Sequence, residues 1–95
     1  MSTKSIITNK KACYVCGTEL NLERHHVVFG TSGRKKSEQY GLTVWLCQEH
    51  HRGTSGVHGK NGVDLNQKLK REAQRAFEDV YSHQKWMDVF HKNYL

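Results

Sequence analysis

Hydrophobic positions along this chain follow two regimes. Over residues 12–62 they come in short runs separated by polar or glycine-rich stretches. Residues 22–29 (LERHHVVF) and 42–46 (LTVWL) are rich in β-formers and predict two strands. The polar stretch between them, residues 30–39 (GTSGRKKSEQ), predicts a loop, and residues 12–20 (ACYVCGTEL) a turn-rich knuckle. Five glycines between Gly41 and Gly62 exclude a long helix through that segment. From Asp64 the regime changes. Leu65, Leu69, Ala73, Ala76, Phe77 and Val80 recur at three- and four-residue spacing among charged residues, which predicts an amphipathic helix with Asp64 as its N-cap. A shorter helix over residues 84–91 presents Trp86, Val89 and Phe90 on one side. Residues 1–11 are polar and basic and predict a loosely ordered segment, with a short strand open at residues 5–8. The pattern predicts an α+β fold: one domain over residues 12–95, its core over about 12–60 and a helical segment over about 64–92.

Composition sharpens this. A chain of 95 residues holds one small domain, whose core is marginal and often stapled. With 36% hydrophobic residues and a mean hydropathy of −0.79, the core is thin, so a metal or a partner is expected. No apolar run reaches the length of a membrane span, and residues 1–11 lack a signal-peptide core, so the expected location is cytoplasmic. A net charge of +6 and a pI of about 9.4 favour an anionic partner, nucleic acid first. Three cysteines, an odd number, argue against a disulfide framework and for metal or free thiols.

Spacing gives the metal a candidate site. Cys13-x2-Cys16 is followed by Cys47-x2-His50, two tight turns that each aim two ligands at one ion. Together they form a Cys3His set, a closed tetrahedral site of the structural zinc kind. A redox CxxC usually opens a helix in an α/β context. Here Gly17 follows the second cysteine and no βαβ pattern surrounds it. His51, next to His50, is the competing fourth ligand, but only His50 repeats the x2 spacing. The remaining histidines near the knuckle are His25, His26, His51 and His58, whereas His83 and His91 lie in the helical segment and receive no role. Neighbours on a strand point to opposite faces, so His25 and His26 place one imidazole on each. Taken alone, they read as hydrogen-bonded strand histidines; beside the knuckle and His51 they become candidates for metal binding or catalysis.

The motifs CYVCG, ERHHVVFG, VWLCQEHHRG and VHGKNG together resemble the HNH, or ββα-metal (His-Me finger), endonuclease family with its accessory zinc site. More narrowly, the chain is similar to short phage- and prophage-encoded HNH-like proteins over residues 13–95. The resemblance implies a zinc-stapled ββα-metal unit followed by C-terminal helices. It also implies a metal-dependent DNA endonuclease of low intrinsic sequence specificity, acting in phage recombination, replication or packaging inside a bacterial host cell. His26 would be the general base, a task suited to a side chain whose ordinary pKa is ~6.5. His25, His51 and His58 would hold the catalytic divalent ion. An all-histidine set suits Zn2+, Ni2+, Co2+ or Mn2+ better than Mg2+. Arg34, Lys35 and Lys36, in the expected loop, would clamp DNA phosphates; a solvated turn is the plainer reading. Many family members orient the base with an Asn, and none lies between His26 and Cys47. A backbone carbonyl, Glu38 or Gln39 would have to take its place. The alternatives are a non-catalytic zinc-containing DNA-binding module, or an adaptor for a larger phage enzyme or a recombination or replication protein.

Overall fold

The computed structural model describes residues 4–29, 31–53, 56 and 62–95. The chain is mixed α+β: β1 (Leu22–His26), α1 (Thr31–Tyr40), β2 (Thr43–Cys47), α2 (Gln48–Arg52), α3 (Val63–Val80) and α4 (His83–Phe90). The strands pair antiparallel, with Leu22 opposite Cys47, Arg24 opposite Trp45 and His26 opposite Thr43. Both lie within or beside their predicted spans, but β1 stops at His26 rather than at residue 29, and β2 runs one residue further, into Cys47.

The main correction is α1. Residues 31–40 form a helix, not the expected loop. Hydrophobic periodicity missed it because its face toward Val28 is built from small residues, and a large apolar contact comes only at its end, where Tyr40 meets Phe77 at 5.2 Å between ring centroids. Ser37 is fully buried, donates to the Val28 carbonyl at 2.7 Å and accepts from the Val28 N–H at 3.1 Å. A Cβ at Gly33 would stand 3.1 Å from Val28 Cγ1 and 3.3 Å from the Val28 carbonyl, so the helix packs closely on that segment and a side chain there would push Val28 aside. Gly41, at φ +73°, closes the helix, and the Leu42 N–H donates back to the Ser37 carbonyl at 2.8 Å. That pairing is a Schellman end.

No strand forms over residues 5–8. Ser5 Oγ instead donates to the Thr43 carbonyl and accepts from the Ile7 and Thr8 N–H groups. The Ile6 N–H donates to the Gly41 carbonyl at 2.9 Å. The arm is thereby fastened beside the start of β2.

The predicted C-terminal helices form with shifted ends. Gly62, not Asp64, caps α3, and Asp64 sits in the first turn, where its charge complements the helix dipole. Leu69, Ala73 and Phe77 are buried, whereas Val80, expected on the apolar face, is exposed. Ser82 caps α4 by accepting from the Lys85 N–H at 3.0 Å. Trp86 is fully buried, with Phe90 at 4.3 Å and Phe77 at 5.4 Å between ring centroids. Buried Gln74 donates to Glu78 and Asn93 and accepts from the Tyr94 N–H, which fixes the C-terminal residues against α3. One hydrophobic core joins Val27, Leu42, Val44 and Leu46 of the sheet region to Leu69, Phe77 and Trp86. No helix among the described residues is long and apolar enough to cross a membrane.

Candidate metal centre and the histidines beside it

The knuckle is built from two local turns brought together by the sheet. Gly17, at φ +78°, lets the first turn close, with the Gly17 N–H donating to the Cys13 carbonyl at 2.9 Å. The Tyr14 N–H donates to the Trp45 carbonyl at 2.8 Å and ties this turn to β2. The second pair follows from β2 running straight into α2, with Cys47 at the junction and His50 one turn on. The ligand atoms of Cys13, Cys16, Cys47 and His50 all lie within 4.8 Å of one another. Cys47 Sγ to His50 Nδ1 is 3.2 Å, Cys13 Sγ to His50 Nδ1 is 3.7 Å, and Cys16 Sγ to Cys47 Sγ is 3.9 Å. Ligands on a tetrahedral zinc stand roughly 3.5–3.8 Å apart, given Zn–S near 2.3 Å and Zn–N near 2.0 Å. The four residues therefore lie close enough to hold one metal ion, and the set is compatible with a structural zinc. Burial pushes the Cys13 thiol up, but the N–H groups of Cys16, Cys47 and Val15 aimed at its sulfur outweigh it and bring its pKa down to about 6. Thiolate is the form a metal takes.

Neighbours on a helix point about 100° apart, so His50 and His51 serve different places. His51 turns to β1. Its ring centroid is 5.3 Å from that of His25, which is buried. Its Nδ1 donates to Glu23 Oε1 at 2.7 Å, and Arg52 meets the other Glu23 oxygen at 2.6 Å. The His51 hydrogen bond first, then the Arg52 charge, hold the Glu23 carboxyl below its usual range. A histidine that donates Nδ1–H to a carboxylate offers Nε2 as a metal-ligand atom.

His26 lies on the other face of β1. Its Nε2 is 2.7 Å from Glu38 Oε2, and Arg24 is 3.2 Å from Glu38 Oε1. Glu38 comes from α1, so the helix that the sequence pattern hid supplies the group that orients His26. With Nε2–H donated to Glu38, Nδ1 is the basic atom.

His25 and His51 thus come together, and His26 stands apart from them across the strand; His58 lies outside the described residues. Arg34 and Lys35 are exposed on α1. Lys36 is not a loop cation: its ammonium donates to the Val89 carbonyl at 2.7 Å, at the end of α4. Glu23 escaped the sequence reading although period-2 alternation puts it on the face of His25. Lys70, a charged position of α3 that reads as part of a solvated face, instead turns toward this site: its ammonium lies 4.9 Å from the centre of the Phe29 ring, itself 6.1 Å from His25, and burial first, then Lys92, lowers its pKa.

Compared with known proteins, the chain matches no family model, no curated protein and no solved structure.

Proposed function

We propose that the chain is a small HNH-like, ββα-metal endonuclease that hydrolyses phosphodiester bonds in DNA, with zinc in the knuckle as its staple. The observation that carries the reading is the pairing of His25 and His51, 5.3 Å apart, with Glu23 behind His51. Two imidazoles with a carboxylate behind one of them would suit a histidine-ligated ion site. A divalent ion held there would stabilise the charge that builds on the phosphate and on the departing oxygen. His26, held by Glu38, takes the proton of the attacking water. The water oxygen bonds to phosphorus, the bond from phosphorus to the 3′ oxygen breaks, and that oxygen leaves to be protonated. Arg34 and Lys35 are placed to meet the DNA backbone without reading sequence.

The rival is a zinc-containing DNA-binding module or adaptor. What favours it is the separation of His26 from His25 and His51 by the plane of the sheet. The test is nicking of supercoiled plasmid by knuckle-loaded protein given Mg2+, Mn2+, Co2+, Ni2+ or Zn2+, beside His26→Ala. Nicking that needs the ion and disappears in the folded His26→Ala protein is the expected result. Salt-sensitive DNA binding without nicking in any ion selects the binding module.

A further inference from the structure

A second feature lies on the His26 face of the sheet, beside the segment that leads into the knuckle. The N-terminal arm and the strands enclose a pocket of about 390 Å³, at the small end of the roughly 300–1,000 Å³ typical of ligand sites. Lys4, Lys10, Lys11 and Arg24 line it, and none of its ten lining residues is acidic. Trp45 and Thr43 line it from β2. The Trp45 ring is only partly buried, and the ammonium of an exposed lysine, Lys11, lies 5.0 Å from its centroid. One indole face is therefore reachable by exchanging a solvated side chain rather than by opening the core. The arm that walls the pocket is held by the Ser5 and Ile6 hydrogen bonds to Thr43 and Gly41, so the pocket exists before any ligand arrives.

From these features we infer that this pocket binds one nucleotide unit of single-stranded nucleic acid, its base stacked on Trp45 and its phosphates on Lys4, Lys10 and Lys11. An aromatic floor beneath a ring of cations is how single strands are held without sequence preference. A duplex does not satisfy it, because paired bases keep both faces stacked and present no free ring to Trp45. Arg24 is committed to Glu38 and contributes charge rather than a dedicated contact. Thr43 is paired with His26 across the sheet, so a strand seated here passes next to His26. The binding claim itself does not depend on the nuclease reading.

The molecule carries its own probe, since it has two tryptophans and the other, Trp86, is fully buried. The experiment is a fluorescence titration of the full, knuckle-loaded chain with oligothymidylate, a duplex of equal length, and heparin. Fluorescence anisotropy of a labelled oligonucleotide is measured in parallel for the variants. The expected result is quenching by the single strand that heparin does not reproduce, and binding weakened roughly tenfold in Trp45→Leu but retained in Trp45→Phe. Lys10→Ala and Lys11→Ala should each lower the slope of log affinity against log salt by about 0.7. Trp86 emission reports that each variant is folded. Binding is measured with no divalent ion added beyond the knuckle's, which separates this claim from cleavage. Equal or tighter binding of duplex, equal quenching by heparin, or a folded Trp45→Leu that binds unchanged would overturn the inference.

Discussion

Two histidines of this molecule are each held by a glutamate that also engages an arginine. His51 donates to Glu23, whose other oxygen meets Arg52; His26 is paired with Glu38, whose other oxygen meets Arg24. The local chemistry is the same, and the neighbours are not. His51 has a second, buried imidazole beside it and starts from the helix that the knuckle anchors. His26 has no ring contact among the described residues, and its glutamate comes from α1. A third pair, His83 with Glu78 at 2.8 Å, sits on the surface, with His83 58% exposed. A carboxylate beside a histidine does not by itself make a site. What stands next to the imidazole decides whether it suits a metal, a proton or solvent.

The largest effect expected is one that removes both inner pairs at once. Stripping the knuckle ion with a chelator, or Cys47→Ser, should cost on the order of several kcal/mol, because the four ligands join the segment before β1 to the start of α2. Thermal unfolding with and without chelator measures it. Next come the histidines themselves. His26→Ala and His51→Ala should each lower nicking by roughly 10²–10⁴-fold, but only His51→Ala should also weaken binding of the added ion. Equal loss of ion binding in both would erase the distinction between the two pairs.

The glutamates sharpen the comparison further. Glu23→Gln should weaken affinity for the added ion by roughly 10–100-fold, whereas Glu38→Gln should slow nicking and leave ion affinity alone. Calorimetric titration set beside initial rates separates the two. The smallest effect belongs to the surface pair. The hydrogen bond from Gln74, then that from His83, keep the Glu78 carboxyl below its ordinary value of 4.5. A depressed carboxyl stabilises the fold at neutral pH, and that contribution is lost as pH falls below 4.5 through the folded-state value. Glu78→Gln should therefore cost under about 1 kcal/mol near pH 7 and less in acid, with nicking unchanged. Acid unfolding curves of the two proteins check the sign.

The knuckle was legible in the sequence because x2 spacing is a property of a local turn, and turns survive any tertiary context. β2 was legible through its own β-branched and aromatic residues, β1 only through the apolar run at residues 27–29 that follows it, and α3 through its apolar stripe. The helix α1 was not, because it packs through Gly33 and Ser37 until Tyr40 at its end, which leaves no hydrophobic period to read. That omission also hid the source of Glu38 and the internal use of Lys36. Buried Gln74 was equally silent, since its role depends on Asn93 and Tyr94 from the far end of the chain. The pairing of His25 with His51 follows from the strand register and from the turn of α2, and residue spacing alone specifies neither.

On the function proposed above, α2 would serve two metal sites, the knuckle through His50 and a second through His51. Counting divalent ions bound per chain tests it most directly, using manganese titrated into zinc-loaded protein and into His51→Ala and His25→Ala. One zinc should be retained in all three, and the parent should bind one further manganese that both variants lose. A parent that binds zinc alone, or a manganese that survives both substitutions, would contradict it.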